Sequence, residues 1–105
     1  MVLLNSLIIT GFNTAILNYG VLYLVDTNFT GNKLDYVFEQ DYGGTIKNFG
    51  YVMGQNCSFI DNYAKYGGAI YNEGYLSLVN CSFANNYAYD EENDIYNFEK
   101  VYLTL

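Results

Sequence analysis

The feature that most restricts this chain is that it repeats itself. The segment Gly67-Gly68-Ala69-Ile70-Tyr71-Asn72-Glu73-Gly74-Tyr75-Leu76-Ser77-Leu78 lies over residues 43–54 at a spacing of 24. It also lies over residues 15–24, 30 residues further back, and over residues 94–103, 25 residues ahead. A second block follows: Asn80-Cys81-Ser82-Phe83-Ala84-Asn85-Asn86 aligns with residues 56–62 and with residues 26–32. Asn5-Ser6-Leu7-Ile8-Ile9-Thr10-Gly11 is a degenerate earlier copy. Short segments such as Leu76-Ser77-Leu78 and Val101-Tyr102-Leu103 are apolar at every second position, the period of a strand. Gly and Asn punctuate them every few residues, as turns require. A unit of about 24 residues with two or three short strands suits one rung of a parallel β-helix and is too short for a propeller blade. The expected fold class is all-β, a parallel β-helix of about four rungs, with a partial coil at each end.

Stacking such rungs about 4.8 Å apart predicts ladders of equivalent residues. Ile16, Ile46, Ile70 and Ile95 form one file; Leu22, Val52, Leu76 and Val101 a second. Leu24, Gly54, Leu78 and Leu103 form a third with a gap at Gly54, and Phe29, Phe59 and Phe83 a fourth. Burying each large side chain between rungs contributes roughly 1.5–3 kcal/mol. Asn18, Asn48, Asn72 and Asn97 form a polar file. They are expected to turn the chain through the left-handed conformation and to bond amide to amide along the stack, rather than to present a ligand-binding row. Gly20, Gly50 and Gly74 fit the same corner, and Asn32, Asn62 and Asn86 mark a second.

The 105 residues suffice for one small domain, and the whole of 1–105 is read as one β-helix segment of a longer solenoid. Val2 and Leu105 both fall in strand patterns with no polar cap, so isolated segments are expected to associate end to end. Met1-Val2-Leu3-Leu4 is read as an interior strand because no positive residue precedes it and Asn5 and Ser6 interrupt it. No apolar run reaches the roughly 18 residues of a transmembrane helix.

Arg, His, Pro and Trp are absent, and 4 lysines face 11 acidic residues for a net charge of -7. This excludes His-based nucleophilic systems and His-ligated metals, and argues against nucleic-acid or anionic-lipid partners. No two carboxylates fall at matched positions of adjacent rungs in the clearly repeated blocks: Asp61 stands where Asn85 and Gly31 stand, and Asp26 where Asn56 and Asn80 stand. The chain is therefore expected to be no enzyme, with no catalytic residue, metal or cofactor. Asp90-Glu91-Glu92-Asn93-Asp94 is read as a solvated corner loop, with a weak Ca²⁺ site as the other reading. Cys57 and Cys81, 24 residues apart, are read as two free, close, buried thiols; an inter-rung disulfide is the alternative.

The tyrosines are the candidate contact surface. Tyr71 and Tyr96 follow an inward Ile and are expected to point outward; Tyr51 and Tyr75 form a second pair, Tyr63 and Tyr87 a third. Such rows either stabilise the sheet by stacking or hold sugars and proteins. The longest inter-block loop, residues 34–42, adds Tyr36, Phe38 and Tyr42 to the candidates, since insertions in solenoids project from one face.

The motifs Gly-Gly-Ala-Ile (Gly67 to Ile70) and Phe-x-x-Asn (Phe29 to Asn32, Phe59 to Asn62, Phe83 to Asn86) resemble the repeats of chlamydial polymorphic outer-membrane proteins. The wording Asn-Cys-Ser-Phe followed by Gly-Gly-Ala-Ile-Tyr-Asn-x-Gly is similar to the adhesin-like surface proteins of methanogenic archaea. The resemblance spans about Asn5 to Leu103. It implies a right-handed, single-stranded parallel β-helix with a pectin lyase-like fold. It also implies secretion, display at the cell surface, and adhesion to host or microbial surface glycans or proteins. A scaffold piece of a polysaccharide-active β-helix enzyme, or a gene fragment with no activity of its own, are the alternatives.

Overall fold

The computed structural model describes residues 1–12, 14–33, 44–91, 94–98 and 102–104. These residues wind through short strands, rung after rung. The first rung holds β1 (Val2–Asn5) and β2 (Ile8–Thr10); the second holds β3 (Ile16–Asn18), β4 (Val21–Val25) and β5 (Asn28–Thr30). The third holds β6 (Ile46–Asn48), β7 (Tyr51–Gln55), β8 (Ser58–Ile60) and β9 (Tyr63–Tyr66). The fourth repeats it with β10 (Ile70–Asn72), β11 (Tyr75–Val79), β12 (Ser82–Ala84) and β13 (Tyr87–Glu91), and β14 (Ile95–Asn97) and β15 (Tyr102–Thr104) open the next. Strands of one rung do not pair with each other. They pair in parallel with their equivalents above and below, giving sheets in the orders β1-β4-β7-β11-β15, β14-β10-β6-β3, β12-β8-β5-β2 and β13-β9. This is a parallel β-helix.

The register aligns like with like. Ile16, Ile46, Ile70 and Ile95 pair in sequence, as do Asn18, Asn48, Asn72 and Asn97. Inside, Leu22, Leu24, Phe29, Ile46, Val52, Phe59, Ile70, Leu76 and Leu78 form the buried core, with Ile16, Phe83 and Ile95 packed on its ends. The phenyl rings stack face to face, Phe29 on Phe59 at 4.8 Å and Phe59 on Phe83 at 5.1 Å. The file at Gly54 holds no gap: a Cβ there would meet Leu78 Cδ2 at 2.8 Å, so the neighbouring leucine already fills the space.

Four sequence expectations are corrected. The Asn18, Asn48, Asn72 and Asn97 backbones are extended strand ends, and the left-handed corners are elsewhere. One corner is Ser6, Asp26, Asn56 and Asn80; the other is Gly11, Gly31, Asp61 and Asn85, all with φ between 51° and 82°. Asp26 and Asp61 thus stand where the backbone favours Asn, Asp or Gly, which accounts for them without any chemistry. Second, Gly20, Gly50 and Gly74 need no left-handed φ. A Cβ on Gly50 or Gly74 would collide with the carbonyl oxygen of Gly20 or Gly50 one rung below, so stacking of the corners excludes a side chain.

Third, the last rung is longer than the repeat suggests. Leu103 pairs with Leu76, and Tyr102 with Tyr75, so Leu103 takes the register position of the second file rather than of the third. Val101 lies outside the described residues. Fourth, the first rung is shifted by one residue. Ile9, half-buried, pairs with Phe29, and Ile8, 73% exposed, pairs with Asn28.

Candidate functional site

Two amide ladders fix the rungs against each other, and everything on the outer surface hangs from them. In the first, Asn18 Nδ2 donates to Asn48 Oδ1 at 2.9 Å, Asn48 Nδ2 to Asn72 Oδ1 at 2.8 Å, and Asn72 Nδ2 to Asn97 Oδ1 at 2.8 Å. The Oδ1 atoms of Asn18, Asn48 and Asn72 also accept from the backbone N–H two residues on, at Gly20, Gly50 and Gly74. In the second, Asn32 and Asn62 each donate from backbone N and from Nδ2 to the Oδ1 of the next rung's Asn, Asn62 and Asn86. Their Nδ2 groups also reach the carbonyls of Ile9 and Phe29 one rung back. Among the described residues, no buried side-chain N or O lacks a partner. Asparagine is the residue whose single side chain both donates and accepts in this repeating pattern.

The outer surface carries the aromatic rows. Tyr51 and Tyr75, 45% and 44% exposed, stack at 4.6 Å with planes 4° apart on the sheet of β7 and β11. On the ribbon of β9 and β13, Tyr63 and Tyr87 stack at 5.1 Å, and Tyr89 meets Tyr63 edge-on at 4.7 Å. Its hydrogen bond with Tyr89, followed by desolvation, pushes the Tyr63 hydroxyl up to about 12. On the β6–β10–β14 side, Tyr19 stacks on Phe49 at 5.1 Å, Phe49 lies 6.3 Å from Tyr71, and Tyr71 stacks on Tyr96 at 5.3 Å.

Tyr71 departs from expectation. It alternates to the face opposite Ile70 and Asn72, yet it is only 4% exposed. Phe49 and Tyr96 flank its ring, and its hydroxyl donates to Glu73 Oε2 at 2.7 Å. Sequence alternation says which face a side chain takes, but not whether the neighbouring corner covers it. With Tyr66, Glu73, Tyr96 and Phe98, Tyr71 lines a cleft of ≈ 390 Å³. Tyr66, Glu73 and Phe98 were not among the sequence candidates: Glu73 and Phe98 sit at corners, where the strand period is silent, and Tyr66 ends β9 with no tyrosine at its paired position Glu91. The candidates Tyr36, Phe38 and Tyr42 lie outside the described residues, as do Glu92 and Asn93 of the acidic run. Among the described residues, no three Cys, Asp or Glu side chains group as a metal site would require.

Cys57 and Cys81 are free, Cys57 buried and Cys81 half-exposed rather than buried as expected, because it lies nearer the end of the core. Each follows a left-handed corner and donates to the carbonyl two residues back, Gln55 at 3.4 Å and Val79 at 3.5 Å. Thr27 makes the same bond to Val25 one rung earlier, so the thiols are small donors closing a turn. Burial pushes the Cys57 thiol up, against the opposing backbone hydrogen bonds. Alkylation of the folded protein is expected to modify Cys81 about tenfold faster than Cys57. After unfolding without reductant, mass spectrometry should find both modified. An unmodified pair would mean a disulfide and an oxidising compartment.

Residues 56–73 match the family model of the Chlamydia polymorphic membrane protein repeat. Comparison with curated proteins and with solved structures gives no significant match. Within the matched stretch, Phe59 stacks in the core, Asn62 holds the second ladder, Gly67 adopts φ +57 where a Cβ would strike Ile70 O, and Ile70 is buried. The motif is thus explained residue by residue as the requirements of stacking rungs.

Proposed function

We propose that the chain is a surface-displayed β-helix segment that binds other molecules through its outer aromatic face and catalyses no reaction. The observation that carries this reading is the exposed Tyr51–Tyr75 stack, held flat by the underlying ladder. Parallel rings 4.6 Å apart cover each other's faces and present their edges and hydroxyls outward, a continuous aromatic strip across two rungs against which protein side chains and sugars can pack. The repeat match at residues 56–73 supports placement among membrane-associated surface proteins, since it is to a repeat of a polymorphic membrane protein. The net charge of -7 keeps a displayed rod soluble and disfavours anionic partners such as nucleic acid.

The test compares the parent with a Tyr51→Ser/Tyr75→Ser variant on glycan arrays and on intact microbial and host cells. Both substitutions are on the outer face, so far-UV circular dichroism should be unchanged. Retention is expected to fall at least about tenfold, in line with loss of two aromatic anchors. If the parent is retained by no glycan, protein or cell surface, the adhesive reading is lost and a spacer role replaces it.

A further inference from the structure

We infer that the cleft between Tyr66, Tyr71, Glu73, Tyr96 and Phe98 binds a quaternary ammonium group, such as the trimethylammonium end of choline. The inference rests on the reading of the outer face as a binding surface, and adds a ligand class to it. Four of the five lining residues are aromatic, the fifth is a carboxylate, and none is cationic. The volume of ≈ 390 Å³ lies in the ~300–1,000 Å³ range of small-molecule sites. The rings do not make one flat platform. Tyr71 and Tyr96 are parallel within 1°, while Tyr66 leans 46° from Tyr96 at 5.1 Å. Tyr71, covered by Phe49 and Tyr96, contributes its hydroxyl through Glu73. The mutually inclined rings of Tyr66 and Tyr96 make a corner that suits a rounded ligand better than a planar sugar. Aromatic faces attract cations through their quadrupole, and a quaternary ammonium, unlike Na⁺ or Ca²⁺, is weakly hydrated and needs no set of oxygen ligands.

Glu73 supplies the matching charge. Its carboxylate is held at the cleft by the Tyr71 hydroxyl at 2.7 Å, and its backbone N–H is fixed to Asn48 O one rung below at 2.8 Å. The chain already places ammonium groups over its own tyrosines: Lys33 Nζ lies 5.4 Å from the Tyr63 centroid and Lys65 Nζ 5.5 Å from that of Tyr66. The overall acidity favours approach of a cation.

Calorimetric titration with choline chloride, at ionic strength matched by NaCl, tests the cleft. The control ligand is 3,3-dimethylbutan-1-ol, which has the same shape and no charge. Choline is expected to bind with Kd on the order of 1 mM or tighter, and the neutral analogue at least about tenfold more weakly. Glu73→Gln should weaken choline about fivefold with the aromatic walls intact, and Tyr96→Leu should abolish binding. Flotation with phosphatidylcholine vesicles then separates the sources: co-flotation assigns the group to a lipid headgroup, and choline binding without co-flotation to a free solute, the inference standing in both cases. Absence of choline binding, equal binding of the neutral analogue, or unchanged binding by Glu73→Gln would overturn it. The adhesive reading stands or falls separately, on the Tyr51/Tyr75 variant and whole-cell retention.

Discussion

Ile70→Asp is expected to abolish cooperative unfolding of the third and fourth rungs. Ile70 is fully buried and packs between Ile46 below and Ile95 above. The substitution loses roughly 1.5–3 kcal/mol of apolar burial. It also places a carboxylate where no positive group lines the core, at a cost of several further kcal/mol whether the group ionises or takes up a proton. Together these approach the ~5–15 kcal/mol that holds a domain of this size folded. A solenoid compounds the loss, because each rung is stable only through its neighbours. Ile70→Val should cost only about 0.5–1.5 kcal/mol. Urea unfolding followed by far-UV circular dichroism measures both, and an Asp variant with the parent's midpoint would place Ile70 outside the core.

Asn62→Leu should be nearly as damaging, although it puts an apolar residue of similar size in a fully buried position. Asn62 accepts from both the backbone N–H and the Nδ2 of Asn32, and donates from Nδ2 to Phe29 O and Asn86 Oδ1. Leucine leaves the Asn32 N–H without its acceptor, removes the Nδ2 donor from Phe29 O, and leaves Asn86 Oδ1 with the backbone N–H of residue 62 alone. Each buried group so stranded costs about 1–3 kcal/mol, so a loss of about 3 kcal/mol or more is expected from urea unfolding. The contrast is Asn85→Gly, one residue before the ladder Asn86. Asn85 holds φ 56°, and Gly31 occupies the equivalent corner two rungs back at φ 63°. That change should stay within about 0.5 kcal/mol. Equal losses from the two variants would mean that the asparagines act as turn formers and that the ladder contributes little.

The contrast between these two asparagines also marks where sequence reasoning stopped. Asn62 and Asn85 are the same residue type near the same corner. Asn62 recurs as Asn32 and Asn86 and is there for its amide; Asn85 exchanges with Asp61 and Gly31 and is there for its tolerance of left-handed backbone. Recurrence marks an asparagine as structural but does not by itself say which of the two roles it fills. The expectation that Asn18, Asn48, Asn72 and Asn97 turn the chain failed for that reason, while the amide stacking expected of them is present.

The candidate site was legible in part. Recurrence of Tyr51 with Tyr75, of Tyr63 with Tyr87 and of Tyr71 with Tyr96 is enough to infer ring stacks, because in-register pairing puts identical residues face to face. Glu73, Tyr66 and Phe98 carried no such signal: Glu73 and Phe98 lie at corners, and Tyr66 pairs with Glu91 rather than with another tyrosine.

The sequence by itself determined the β-helix, the inward files of the middle rungs and the amide stacking of Asn18, Asn48, Asn72 and Asn97, because a repeat whose faces must be covered by its own copies has one economical arrangement. Recurrence of Asn32, Asn62 and Asn86 marks a corner, and only the structure shows a second amide ladder there. The tertiary structure alone decided the registers of the two outermost rungs and the burial of Tyr71. Pairing of Leu103 with Leu76 is two residues from the expected register, a slip that an alternating pattern of period two cannot distinguish. At the first rung Ile8 and Ile9 are chemically alike, and only pairing of Leu4 with Leu24 selects Ile9 for the core. Tyr71 is covered by Phe49 from the corner one rung before and by Tyr96 from the strand after, neighbours that exist only once the rungs are stacked.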